Sequence, residues 1–299
     1  MHSLIVGFGS IGKQHFDVLK NVLGDNNVYV LSRREHNKKN FITSLSHIDL
    51  NKFNYFVLAN EANLHLEWLE KIKNLNAKIL IEKPLSDKKI VVDVNKDFKN
   101  INVGYFMRLH PLVNKIKEIK ISEISKVEFV NHSWLPDWRK NREFTKSVSA
   151  NKELGGGVLN ELSHDLDLAK FIYGTYDFST SHLSRNPKLK LNVFDTFEGD
   201  AKVLNSEIKL KFSLSMAKKK NKKYVKIFTK DKFYKADFIN NSFLSNGTEE
   251  KLSYYPSSKK HLLQVQHETI LSKEKNYLST FEEGMWIANL IDSIEKNNE

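Results

Sequence analysis

The sequence predicts an α/β protein that begins with a Rossmann domain and continues into a second domain. Three observations predict it. An apolar strand, Ser3 to Val6, runs directly into Gly7-Phe8-Gly9-Ser10-Ile11-Gly12, and a helical pattern follows. Short apolar strands then alternate with helical segments as far as Tyr105, which is the pattern of a parallel sheet covered on both faces. Farther on the period changes to strict alternation, clearest at Ile208, Leu210, Phe212, Leu214 and Met216.

In the first part, Ile11, His15, Val18 and Leu19 share one side of the helix, and a second strand spans Val28 to Leu31. Strand, glycine turn, helix, strand is the context that a dinucleotide fingerprint requires. Gly7 permits the tight turn, Gly9 leaves room for a pyrophosphate, and Gly12 lets the helix pack closely. With Phe8, Ser10 and Ile11 they form the candidate pyrophosphate turn, ahead of free helix amides. The second strand ends in Leu31-Ser32-Arg33-Arg34. An NAD site usually has an acid there to hold the ribose hydroxyls; here the nearest acid is Glu35, and position 32 is a serine. Ser32 can hydrogen-bond a 2′-phosphate. Arg33 can pair with it or lie against the adenine, with Arg34 alongside. The expected cofactor is therefore NADP, with NAD as the runner-up.

Further strands are expected at Tyr55 to Ala59, Ala77 to Ile81 and Ile101 to Tyr105. Helices are expected from Leu64, and from Ser86 as N-cap through Val94. Ligands of such sheets lie beyond the carboxyl ends of the strands. Asn60 and Lys83 fall there, with Glu82 beside Lys83.

Composition sets limits. The chain has 299 residues, 40% hydrophobic and 28% charged, as in a folded globular protein. It has no cysteine, which excludes disulfides, thiolate nucleophiles and zinc-thiolate sites. No metal site is expected. No apolar run is long enough for a membrane span, and the start does not read as a signal peptide, so the expected location is the cytoplasm. The net charge of +11 suits either a generally basic surface or a phosphorylated ligand. The densest cluster, Lys218-Lys219-Lys220-Asn221-Lys222-Lys223, reads as a solvated hairpin loop. No nucleic-acid motif accompanies it.

At Glu82-Lys83-Pro84 the chain resembles the glucose-fructose oxidoreductase and inositol 2-dehydrogenase (Gfo/Idh/MocA-like) family. The Gly7–Gly12 turn, Glu82-Lys83-Pro84 and Gly155-Gly156-Gly157 with a following histidine stand in the family's order, over essentially the whole chain. The resemblance is closer to a subgroup associated with bacterial surface polysaccharides. It is carried by Gly104-Tyr105 through Arg108-Leu109-His110-Pro111, Trp134-Leu135-Pro136-Asp137-Trp138-Arg139, Leu154 to Leu159, Leu162-Ser163-His164 and Asp167. It implies a Rossmann domain at 1–108 and, at 109–299, an α/β domain on a large, mostly antiparallel sheet. The C-terminal helix is a candidate to pack back on the first domain. It also implies that Lys83 lies near the nicotinamide and the reacting hydroxyl, and that His164 acts in acid–base chemistry. The acidic residue usual four positions before that histidine is Asn160 here, with Glu161 next to it. Asp167 is kept. Tyr105, Arg108, Trp134, Trp138, Arg139, Asn160, Glu161, His164 and Asp167 become the candidate substrate residues. The resemblance further implies a sheet face buried against a second copy, in a homodimer or homotetramer.

The second domain's own residues add detail. Trp134 and Trp138 suit the faces of a sugar ring, or packing within a loop. A helix from Val158 to Tyr173 would place Asn160, His164 and Asp167 on one face. Strands are expected at Val127 to Val130, Lys190 to Phe194, Ala201 to Leu204 and Ile208 to Met216. Residues 233–260 are poorly periodic and read as an insertion or flexible loop. A C-terminal helix runs from Phe281 to Ile294.

The expected function is NADP(H)-dependent hydride transfer at a carbon of a sugar or nucleotide sugar, in surface-polysaccharide biosynthesis. His164 would exchange the hydroxyl proton and Lys83 would polarise the carbonyl. Two alternatives stand beside it. One is a lyase or glycosidase working by transient oxidation with a tightly held cofactor. The other is a non-catalytic cofactor-binding regulator, suggested by Asn160.

Overall fold

The computed structural model describes residues 1–36, 39–46, 48–91, 98–139, 143–252, 257–272 and 277–298. The chain divides into two compact units. One is Met1–Leu109 with Ser258–Asn289, and the other is His110–Ser257 with Leu290–Glu299. Residues 258–289, which the sequence reading placed with everything after 109, thus group with the N-terminal segment.

The first unit begins with β1 (Ser3–Val6), α1 (Ser10–Leu23), β2 (Val28–Leu31), β3 (Phe41–Ile42), β4 (Tyr55–Leu58), α2 (His65–Ile72), β5 (Lys78–Ile81) and β6 (Ile101–Val103). The second contains α3 (Pro111–Lys117), β7 (Ile124–Trp134), α4 (Val158–Glu161), α5 (Ser163–Tyr173), β8 (Tyr176–Ser184), β9 (Thr196–Val203) and β10 (Lys209–Ser215). It continues with β11 (Ala217–Thr229), β12 (Phe233–Asp237), β13 (Ser242–Ser245) and β14 (Thr248–Lys251). Then α6 (Lys259–Leu271) and β15 (Ser279–Thr280) return to the first unit, and α7 (Phe281–Lys296) ends the chain.

Every residue of β1 and β4 is buried. Continuous apolar strands of this kind need cover on both faces, which parallel sheets provide. The strand order is β15-β6-β5-β4-β1-β2-β3. All pairs are parallel except β15 with β6. Read from β3, this is the doubly wound order, with its switch point between β1 and β4. The core joins Ile5, Leu19, Val30, Val57 and Leu80 to Ile270 and Leu278. The returning segment therefore supplies part of this core.

The second sheet runs β14-β13-β12-β11-β7-β10-β9-β8. It is antiparallel throughout except for β10 beside β7. Ile208, Leu210, Phe212, Leu214 and Met216 are all at most 3% exposed. Phe212 stacks on Phe129, and Phe129 meets Tyr173 of α5 edge-on. The alternating apolar face is thus already buried within the chain, and it carries no argument for a second copy.

Several elements differ from the sequence reading. Lys218–Lys223 is not a loop but lies in β11, where Lys222 pairs with His132 and Lys223 with Asn131. Long lysine stems can run along a strand while their ammonium groups stay in water. Residues 190–194 form no strand, since Lys190 has a left-handed backbone with φ 50. Residues 233–252 hold three short strands, not a flexible loop. No helix starts at Ser86, whose hydroxyl accepts the Lys88 amide in a turn. Farther along, the Asn289 side chain pairs with both the amide and the carbonyl of Ile90, satisfying the backbone without a helix. Residues 92–94 of that expected helix lie outside the described residues. Among the described residues no helix is long and apolar enough to cross a membrane.

Ile270 is 1% exposed and sits in the first unit's core. Ile270→Ala should lower stability by about 2–5 kcal/mol. Urea unfolding checks this, and a change near zero would remove α6 from that core.

Candidate functional site

The candidate pyrophosphate turn lies at the switch point of the first sheet. Gly7 has φ +95, and a Cβ there would lie 2.8 Å from the backbone nitrogen of Asn60. Only glycine allows β1 and β4 to approach so closely before the chain turns. Gly9, the N-cap of α1, offers no side-chain cap to the helix amides, and a Cβ on it would meet nothing within 4 Å. Asn60 Oδ1 is buried with no hydrogen-bond partner among the described residues. Open space beside uncapped helix amides suits an anionic group such as a pyrophosphate, while Asn60 Oδ1, an acceptor, calls for a donor such as a hydroxyl. Ser10 is exposed at this mouth. Phe8 and Ile11 serve packing, and Phe8 meets Phe41 edge-on at 4.9 Å.

At the end of β2, Ser32 is buried and its hydroxyl accepts the Arg34 amide at 3.1 Å. Arg33 is exposed and ion-paired to Glu61, just past β4. The sequence reading gave Glu61 no role. It lies 28 residues from Arg33, and no local pattern signals the contact.

At the carboxyl end of β5, Glu82 is 5% exposed and accepts a hydrogen bond from His15 Nε2 at 2.9 Å. Burial alone would raise its carboxyl. The His15 hydrogen bond, with Lys259 and Lys83 nearby, outweighs burial and holds it below the ordinary value. Lys83 follows with partial exposure, joined to Pro84 by a cis peptide. Tyr105 and Arg108 are almost fully buried. The Arg108 guanidinium reaches Glu283 at 2.8 Å. Arg108 therefore ties the turn after β6 to the start of α7, a structural use that the substrate reading did not foresee.

In the second unit the triple glycine shapes a tight approach. A Cβ on Gly156 would lie 2.2 Å from the Val148 carbonyl oxygen. The expected helix over 158–173 is two helices, broken at Leu162 with φ −101 and ψ 19. The i,i+4 spacing therefore does not carry from Asn160 to His164, while His164 and Asp167 do share α5. Asn160, His164 and Asp167 are 5%, 8% and 0% exposed, so none stands on a solvated face. Glu161 is partly exposed. Asp165 had been passed over. It is buried and accepts a hydrogen bond from Asn131 at 2.7 Å. Burial raises its carboxyl, with Lys223 and Asn131 opposing.

The two tryptophans part company. Trp138 lines a recess of about 400 Å³ with Leu135, Glu143, Phe144, Lys146 and Val148. Trp134 instead lies under the Lys219 ammonium at 5.8 Å. Arg139 ends the 3-10 turn after β7, but its side chain lies outside the described residues.

No protein-family model matches the chain, and no curated protein matches it in sequence. Solved structures do match in fold. A UDP-N-acetylglucosamine 3-dehydrogenase from Acidithiobacillus ferrooxidans superposes with a TM-score of 0.69 at 14% identity, covering 99% of this chain and 96% of that one. A levoglucosan dehydrogenase in complex with NADH and levoglucosan gives 0.78 at 13% identity, over 99% and 98%. A biliverdin reductase from Synechocystis, in complex with biliverdin and NADP+, gives 0.70 at 13%, over 99% and 98%. The chain has the fold of these dehydrogenases and reductases. That fold accommodates either nicotinamide cofactor and substrates as unlike as a sugar and a tetrapyrrole, so the substrate must be argued from side chains.

The histidines set a pH dependence. His110 caps α3 by accepting the Leu112 amide on Nδ1. Burial, helped by Lys223, lowers it to about 4. A depressed histidine contributes stability that is complete above its unfolded value near 6.5 and is lost as pH falls toward 4. Urea midpoints should therefore drop between pH 7 and pH 4.5. His110→Asn keeps a capping acceptor without the proton and should make that drop shallower. An equal drop in both proteins would refute the assignment.

Proposed function

We propose that the protein is a nicotinamide-dependent oxidoreductase that moves a hydride to or from a hydroxyl-bearing carbon of a sugar or nucleotide sugar, with NADP(H) as cofactor. The observation that carries this reading is the turn at the switch point, where Gly7 packs against the end of β4 and the uncapped α1 amides at Gly9 face open space. The side chains that follow suit the chemistry. When bound, the nicotinamide supplies the two-electron acceptor or donor. Lys83 donates a hydrogen bond to the reacting oxygen and stabilises negative charge on it. His164 takes the hydroxyl proton in one direction and returns it in the other, a task suited to imidazole near neutral pH. Asn160, an amide, orients a hydroxyl but cannot act as a base. Asp167, fully buried one turn beyond His164, holds the polar side of α5 in place. The Trp138 recess, with its aromatic wall and its Glu143 and Lys146, suits part of a sugar. The motifs shared with the surface-polysaccharide subgroup favour a substrate from that biosynthesis.

NADP is preferred because the end of β2 carries Ser32, Arg33 and Arg34 and no acid. Glu61 holds the Arg33 guanidinium and so tempers that preference. NADPH should bind more tightly than NADH in fluorescence titrations. Ser32→Asp should weaken NADPH far more than NADH. The reverse order in the wild type would end the NADP reading.

Screening keto-sugars and nucleotide sugars with both cofactor forms, with products identified by mass spectrometry, supplies the substrate. On that substrate His164→Asn should slow single-turnover hydride transfer by about 10²–10⁴-fold and leave NADPH affinity unchanged. A wild-type rate would remove His164 from the mechanism.

A further inference from the structure

Behind Glu82 lies a line of buried polar groups that the proposed reaction does not use. Tyr55 OH is 2.7 Å from His267 Nδ1. His267 Nε2 is 2.8 Å from His15 Nδ1. His15 Nε2 is 2.9 Å from Glu82 Oε1. Tyr55, His267 and His15 are fully buried. They come from β4, α6 and α1, and the line ends at β5. Space for its last member is made by Gly104, where a Cβ would lie 2.7 Å from Glu82 Oε1.

Counting donors fixes the direction of the line. A carboxylate only accepts, so His15 donates to Glu82 from Nε2. If His15 is neutral, its Nδ1 is an acceptor, and His267 must donate to it from Nε2. The remaining nitrogen of His267, Nδ1, then accepts from the Tyr55 hydroxyl. Every group is satisfied with one negative charge, at Glu82. In the opposite polarity each histidine donates from Nδ1, and Tyr55 must find another acceptor in an apolar core. Leaving a buried hydroxyl unsatisfied is costly. The other groups coupled to this charge agree with it. Lys259 of α6 and Lys83 stabilise the carboxylate. Burial and then this charge push the Tyr55 hydroxyl up, and the same charge partly offsets the burial that lowers His65 of α2. Burial keeps His267 well below the ordinary histidine value and so neutral.

We propose that Tyr55, His267 and His15 are positioning residues, a one-way relay that holds Glu82 as a fixed carboxylate behind Lys83 and so favours the oxidised, cationic nicotinamide over the neutral reduced form. The cofactor role rests on the proposed function; the relay itself does not. Tyr55→Phe and His267→Leu break the line. His267→Gln can rebuild it, because one amide can accept from Tyr55 and donate to His15.

The test has two readouts on the purified full-length chain. Histidine ¹⁵N spectra should show neutral Nε2–H tautomers for both His15 and His267 in the wild type. Fluorescence titrations with NADP+ and NADPH give the ratio of their dissociation constants. Breaking the line should shift that ratio about three- to tenfold toward the reduced cofactor, the scale of one screened charge. His267→Gln should restore it. An Nδ1–H tautomer at His15 would overturn the relay. Native tautomers with an unchanged ratio in both broken variants would overturn its role toward the cofactor. If the wild type bound neither cofactor form, that role would fall with the proposed function, and the tautomers would still decide the relay.

Discussion

Between the ends of β1 and β4 the two backbones run so close that one added carbon on Gly7 would press on Asn60. Much of the first unit depends on this approach. It lets β1 turn sharply into α1 and leaves the first helix amides facing outward. It also turns Asn60 inward with an oxygen to satisfy. Gly12 then brings α1 down on the turn, because a Cβ there would sit 2.2 Å from the Gly7 carbonyl oxygen. One turn later in α1, His15 arrives against Glu82. The turn and the buried line behind Glu82 are thus both set by how closely α1 can lie.

The parts legible in the sequence are those written locally. The strand before Gly7, the turn and α1 sit within 23 residues, and a helical pattern following glycines at fixed offsets has few other meanings. Ile208 to Met216 revealed a strand because its alternation is unbroken. What covered that strand was not legible, since Tyr173 and Phe129 come from elsewhere in the chain. The lysines of β11 misled because charge density reads as solvent, whereas strand pairing is decided by the partner, here β7. The break at Leu162 has no glycine or proline to announce it. The contact of His15 with His267 spans 252 residues, a distance over which no periodicity speaks.

The two units bury polar groups in different ways. In the first, Tyr55, His267 and His15 form a buried line that ends at Glu82, while Arg108 is buried separately against Glu283. In the second, α4 and α5 between them bury Asn160, Ser163, His164, Asp165 and Asp167. Two adjoining short helices seldom hide so many polar side chains unless the surrounding structure satisfies or uses them. Asp165 shows one such use, held by Asn131 from β7. Among proteins of this fold, the scaffold is shared while the ligands named for them differ widely.

The return of residues 258–289 to the first unit has a consequence for how the molecule is made. The second unit is nearly continuous, from His110 to Ser257, with only a terminal strip added. The first is interrupted. As the chain leaves the ribosome, its opening 109 residues lack Ile270 and Leu278 for their core, β15 for the sheet edge beyond β6, and His267 for the buried line. The inserted body can close while the N-terminal segment still waits for its last pieces, reversing the usual order in which domains mature from the N-terminus. Until residues 258–289 have emerged, the glycine turn rests on an unfinished sheet, so a chain cut before them carries the turn but not the packed core beneath it.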